Sequence, residues 1–149
     1  MISVFDTINE RLKDLRDDYN LKQVEIAKIL GVSQANYSRW ETGKELIPLE
    51  KLNFLCNYFH VKMDYIIGIS EERECLTEYL ISNKTIGHNL KKFRLENNIT
   101  QGELAEFLNT THSTISAYES GKTTLLTAFA LQIVYKYHIS LDKLCGRSK

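Results

Sequence analysis

Between residues 23 and 44 the chain carries Gln23, Gln34, Asn36, Ser38, Arg39 and Lys44. Offset by 78 positions it carries Gln101, His112, Thr114, Ser116 and Lys122. Carboxamides offer a donor and an acceptor side by side, and a guanidinium offers a planar fork of donors. Amides of this kind pair in two-point fashion with adenine, and a guanidinium does so with guanine. Catalytic chemistry is not suggested. No nucleophile stands beside a base, no glycine-rich phosphate loop occurs, and the 4 histidines are scattered without metal-ligand spacing. The 3 cysteines, Cys56, Cys75 and Cys145, form no C-x-x-C pair and are odd in number, which speaks against structural zinc and a disulfide framework. Cys56 and Cys145 lie in apolar contexts and are expected in the core, with Cys75 partly exposed.

These residues recur because the chain repeats itself. Shifted by 78 positions, it matches itself without a gap from Ile8 to Gly68. INERLKDLRDDYNLKQVEIAKILGVSQANYSRWETGK aligns with IGHNLKKFRLENNITQGELAEFLNTTHSTISAYESGK, 13 of 37 positions being identical. Downstream, HVKMDYIIG aligns with HISLDKLCG. Self-similarity of this kind marks duplication, and it divides the chain into domains at 1–69 and 86–149 with a connection at 70–85.

Each repeat reads as helical. Ile8, Leu12 and Leu15 step by four and three residues, as do Ile86, Leu90 and Phe93. Thr100-Gln-Gly-Glu103 has the form of a capping box. Ser33, Thr111 and Ser140 suit N-caps, Gly43 and Gly121 suit helix exits, and Pro48 suits the first turn of a fourth helix. Gly31 suits a turn at positive φ, with asparagine, the next most tolerant residue, at Asn109. In the connection EERECLTEYLISNKT, Leu76, Tyr79 and Leu80 also step helically, which predicts a linking helix of ~22 Å at 1.5 Å per residue.

The segments QVEIAKILGVSQANYSRWETGK and QGELAEFLNTTHSTISAYESGK resemble the helix-turn-helix of the phage Cro and repressor family, the xenobiotic-response-element-like regulators. The resemblance extends over nearly all of each repeat, to the terminal D-x-x-x-G. It implies an all-α chain of two tandem five-helix, lambda-repressor-like domains, here joined by a helical linker. It also implies binding of double-stranded DNA to regulate transcription, with repression the expected sign.

In this family the start of the third helix meets base edges in the major groove. The resemblance therefore assigns base contacts to Gln34, Ala35, Asn36 and Arg39 in repeat one. In repeat two it assigns them to His112, Ser113, Thr114 and Ala117, a shorter and less discriminating set. It implies phosphate contacts for Gln23 and Gln101 at the start of the second helix. Ser38, Lys44, Ser116 and Lys122 are further phosphate candidates, with plain solvated surface the alternative for each. It implies structural ion pairs Arg16–Glu41 and Arg94–Glu119, tying the first helix to the end of the third. Tyr37, Trp40, Ile115 and Tyr118 are expected to point inward, and Ala27 and Ala105 to sit at close helix crossings.

Charge qualifies this picture. The chain has 19 basic and 19 acidic residues, so non-specific affinity for a polyanion is expected to be modest. Residues 86–149, with 8 basic and 5 acidic groups, carry +3, whereas 1–70 and 71–85 carry −1 and −2. Two alternatives stand beside use of both motifs: repeat one reads DNA while repeat two mediates assembly, or the chain is an antitoxin-like protein-interaction module. A homodimer or an intramolecular pseudo-dimer would suit paired half-sites. No cofactor, metal, small-molecule ligand or membrane partner is implied. The acids near the N-terminus are unlike an export signal, so a cytoplasmic location is expected.

Overall fold

The computed structural model describes residues 4–148. Ten α-helices occur among the described residues, and the extended backbone pairs only in an isolated antiparallel bridge, Val61 with Glu74. None of these helices is long and apolar enough to cross a membrane. The chain divides into two compact units, with the division after Glu78.

The first unit contains α1 (Val4–Asp18), α2 (Gln23–Leu30), α3 (Gln34–Thr42), α4 (Leu49–Phe59) and α5 (Met63–Ile66). The inward stripe of α1, Ile8, Leu12 and Leu15, is buried, as are Ile26, Ala27 and Leu30 of α2. Gly31 ends α2 at φ +71, and the Val32 amide reaches the Ala27 carbonyl at 2.9 Å, closing the tight turn into α3. The Ser33 hydroxyl accepts from the Asn36 amide at 3.1 Å and so starts α3 at a defined residue. Tyr37 and Trp40 hold α3 on the core, and Gly43 ends it at φ +81. Pro48 stands at the N-cap of α4, one residue before the turn expected for it.

The second unit repeats this order with α6 (Asn83–Glu96), α7 (Gln101–Phe107), α8 (His112–Glu119), α9 (Thr127–Tyr137) and α10 (Leu141–Leu144). Thr100 and Glu103 form the reciprocal capping box, at 3.0 and 3.1 Å. In repeat one Lys22 takes the Thr100 position, and only half of the device survives: its amide donates to Glu25 Oε1 at 3.0 Å. Asn109 adopts φ +55, with Thr110 N–H reaching the Ala105 carbonyl at 2.9 Å, so asparagine carries the turn that Gly31 carries in repeat one. Ile115 and Tyr118 anchor α8, and Ser140 caps α10. Cys56 and Cys145 are fully buried and Cys75 is half-buried, as their contexts suggest.

One expectation fails. No helix spans the connection: helix resumes only at Asn83, capped by the Ser82 hydroxyl. The residues after Ser70 fold back on the first unit, where the Lys62 amide donates to the Arg73 carbonyl and the Cys75 amide to the His60 carbonyl, both at 2.9 Å. Ion pairs Arg11–Glu71, Lys62–Glu72 and Arg73–Asp18, at 2.6–3.0 Å, line the same segment. The helical step of Leu76 and Leu80 finds nothing to cover it: these side chains are 72% and 98% exposed. A short helix without a buried face lacks the packing that stabilises helices in proteins, and the bridge takes the backbone bonds instead.

Candidate nucleic-acid interface

The third helix of each unit is held from the inside by an arginine on the first. Arg16 Nε and Nη2 donate to the two Glu41 carboxylate oxygens at 3.0 and 2.8 Å, and Nη1 donates to the Leu21 carbonyl at 2.8 Å. Arg94 does the same to Glu119, at 2.6 and 2.9 Å, and to the Ile99 carbonyl at 3.0 Å. One guanidinium thus joins α1, the α1–α2 loop and the end of α3, and its counterpart joins α6, the α6–α7 loop and α8. Two-point bonding of this kind fixes orientation as well as distance.

Burial acts on Glu41 to raise its pKa, but hydrogen bonds, that from Arg16 foremost, outweigh it and hold the carboxyl below the usual range. Glu119 is governed likewise by burial, then Arg94 and Gln101. The pKa of the buried Tyr37 hydroxyl is raised, first by burial and then by the Glu41 carboxylate.

Gln23 and Gln101 belong to the same arrangement. Gln23 Nε2 donates to Glu41 Oε1 at 3.3 Å, and Gln101 Nε2 to Glu119 Oε1 at 3.0 Å. Both are half-buried at the first residue of α2 and of α7. The repeated glutamine spacing was visible in the sequence, but its bond to the ion-paired glutamate was not.

With the inner face so anchored, α3 turns Gln34, Ala35, Asn36 and Arg39 outward, all exposed. Arg39 Nη1 donates to Asn36 Oδ1 at 2.9 Å, and Arg39 Nε stands 4.0 Å from Glu45 Oε1. A free arginine would be mobile here; this one is directed by an amide one turn away. The spacing of Asn36 and Arg39 on a helix was the available signal. On α8, His112 and Ser113 are exposed and Thr114 and Ala117 half-buried. Among the phosphate candidates, Lys44, Lys122 and Ser116 are exposed, while Ser38 is half-buried. Lys44 and Lys122 occupy matching places just beyond the left-handed glycines Gly43 and Gly121.

One close approach escaped the sequence reading. A methyl group built on Gly87 of α6 would stand 2.1 Å from the Tyr118 carbonyl oxygen and 2.9 Å from that of Glu119. Only a residue without Cβ lets α6 lie this near the end of α8. Repeat one places Asn9 at the aligned position, and the Asn9 side chain lies against Gly43.

A helix-turn-helix family matches residues 12–66 and again 90–144, that is, both repeats from the first helix to the fifth. The chain belongs to this family of DNA-binding transcriptional regulators. Among curated proteins it is 31% identical over 77 residues to the uncharacterized HTH-type transcriptional regulator YobD of Bacillus subtilis, a match covering 48% of this chain and 69% of that protein. It is 30% identical over 77 residues to the antitoxin PezA of Streptococcus pneumoniae, covering 52% of this chain and 49% of PezA. It is 37% identical over 63 residues to the HTH-type transcriptional activator BcrR of Enterococcus faecalis, covering 42% of this chain and 31% of BcrR. No solved structure matches. The second helices of the two helix-turn-helix motifs are α3 and α8.

Proposed function

We propose that this regulator acts chiefly as a repressor, setting α3 and α8 into the major groove of double-stranded DNA in the cytoplasm. What supports this above all is the construction of α3: its inner face is pinned by Tyr37, Trp40 and the Arg16–Glu41 pair, while Gln34, Asn36 and Arg39 project outward. In this reading Arg39 pairs with guanine, Gln34 and Asn36 read adenine edges, and Ala35 packs on a thymine methyl. In repeat two His112, Ser113, Thr114 and Ala117 meet the bases. Lys44, Lys122, Ser38 and Ser116 meet phosphates, with Gln23 and Gln101 offering the amide N–H that Glu41 and Glu119 leave over. Such phosphate contacts set register and carry no sequence information.

Two motifs in one chain suit successive half-sites, whose centres lie ~34 Å apart, with the chain acting as a pseudo-dimer or pairing with a second copy. Division of labour between the repeats is the second reading. It is favoured by one contrast: Arg39, directed by Asn36, has only Ala117 as its counterpart. A partner-binding role of the kind suggested by the name of PezA is the third, and the neutral overall charge favours it. No reaction or cofactor is assigned to the chain.

Selection of bound duplexes from a random pool tests the first reading. It should return a site with two distinct half-sites, bound less tightly as salt rises because Lys and Arg displace counterions from phosphates. Failure to enrich any sequence would sink it.

A further inference from the structure

Beside α8 of the second unit lies an open hollow of about 450 Å³. Ser113, Thr114 and Ala117 of the helix line it, with Thr123, Thr124 and Leu126 of the α8–α9 connection. The aligned residues of repeat one are Ala35, Asn36, Arg39, Glu45, Leu46 and Pro48. There Arg39, reaching Asn36 and approaching Glu45, takes up the corresponding place. Repeat two has exchanged a guanidinium and its two polar partners for a small residue and two threonines.

Two of the hydroxyls around the hollow are already engaged. Thr114 Oγ1 is bonded to Thr111 Oγ1 at 2.8 Å, and Thr124 Oγ1 donates to Asn83 Oδ1 at 2.9 Å. The surface facing the hollow is mostly apolar, with the Ser113 and Thr123 hydroxyls as its remaining polar groups. Leu126 is 56% exposed at one edge and Ala117 adds its methyl from the helix. No charged side chain lines the hollow. A phosphate would therefore gain little there, and a guanine, which calls for a donor fork, would gain less.

We infer that this hollow is a seat for the 5-methyl group of a pyrimidine in the major groove, so that repeat two reads thymine by shape where repeat one reads guanine by charge-assisted hydrogen bonds. The inference rests on the proposal that α8 enters the major groove. Apolar contact with the thymine methyl is one of the recognised modes of base reading there, and 5-methylcytosine presents the same group at the same position.

The test uses the full chain and the duplex selected from a random pool. Each thymine is replaced in turn by uracil, which removes only the methyl. At one position in the half-site of repeat two the loss should be about fourfold, the worth of one buried CH₂ group. Replacing that thymine by cytosine should weaken binding, and 5-methylcytosine should recover part of the loss. Ala117→Arg fills the hollow with the side chain repeat one carries at this place, so the fold should tolerate it. In A117R the uracil effect should disappear, and that position alone should change its preferred base.

A selected site bound equally well with uracil at every position of that half-site overturns the seat while leaving DNA binding intact. A uracil effect that persists in A117R overturns it too, because the methyl is then sensed elsewhere. If no duplex is selected at all, the functional reading falls, and the seat falls with it.

Discussion

At the scale of single residues, the two Arg–Glu pairs decide whether the recognition helices stay in place. Each carboxylate is largely buried, its side chain 6% exposed in Glu41 and 4% in Glu119. Removing the arginine leaves a carboxylate in the core with only neutral groups beside it, the glutamine amide and, for Glu41, the Tyr37 hydroxyl, a situation that costs on the order of 3 kcal/mol. Arg16→Ala should therefore unfold the first unit at markedly lower denaturant. The chain's only tryptophan, Trp40, is buried in that unit, so its fluorescence reports the first transition separately. An unchanged transition would dismiss the structural role of the pair. The same carboxylates impose a pH dependence. Their folded pKa values lie below the ordinary 4.5, so the stability they contribute is fully present above that pH and is lost as pH falls through the folded values. Equilibrium unfolding of the wild type and of Glu41→Gln should differ most near neutrality, and the difference should shrink with acidification below 4.5.

Among the elements, the two repeats reach the same geometry by different means, and the differences are testable. Gly87 allows α6 to approach the carbonyls that end α8, where a Cβ would stand 2.1 Å from an oxygen. Backbone cannot yield as a side-chain tip can. Gly87→Ala should destabilise the second unit by about 2 kcal/mol, in the range typical of overpacking. Thermal unfolding followed by circular dichroism should then show one transition lowered, with the Trp40 signal of the first unit unmoved. Equal stability of variant and wild type would mean that α6 and α8 are not held this closely. The α2–α3 turn makes the converse point: Gly31 and Asn109 both adopt left-handed φ, so the aligned exchange of glycine for asparagine conserved a backbone shape.

For the whole molecule the question is whether the two units read DNA equally. Repeat one has longer and better-directed polar side chains, and residues 86–149 have the net positive charge. Those features pull in opposite directions, since charge supplies non-specific affinity and base contacts supply discrimination. Gln34→Ala should cost about tenfold in binding to the selected site, as expected of a two-point base contact, and His112→Ala distinctly less. Equal, large losses in a titration of labelled duplex would rule out any division of labour between the repeats.

How much of this was legible beforehand depended on the range of the interaction concerned. Caps at Ser33, Thr111 and Ser140, the left-handed turn at Gly31 and Asn109, and the inward aromatics all follow from local spacing, and the structure has each of them. The paired Arg and Glu were legible as well, because the family resemblance implies the pair and both residues recur at the same offset in the two copies. The course of the connection is not legible in the sequence for the opposite reason. Leu76 and Leu80 have helical spacing, yet helices of this length depend on what they pack against, and the segment found backbone partners at His60 and Lys62 instead. The close approach at Gly87 and the hollow at Ala117 were equally out of reach, since each is defined by atoms of another segment. Sequence alone thus determined the two helix-turn-helix repeats, and its family resemblance named the residues proposed to carry the reading. Tertiary structure decided which of those side chains are already engaged, as Gln23 and Gln101 are, and what space stands beside the rest.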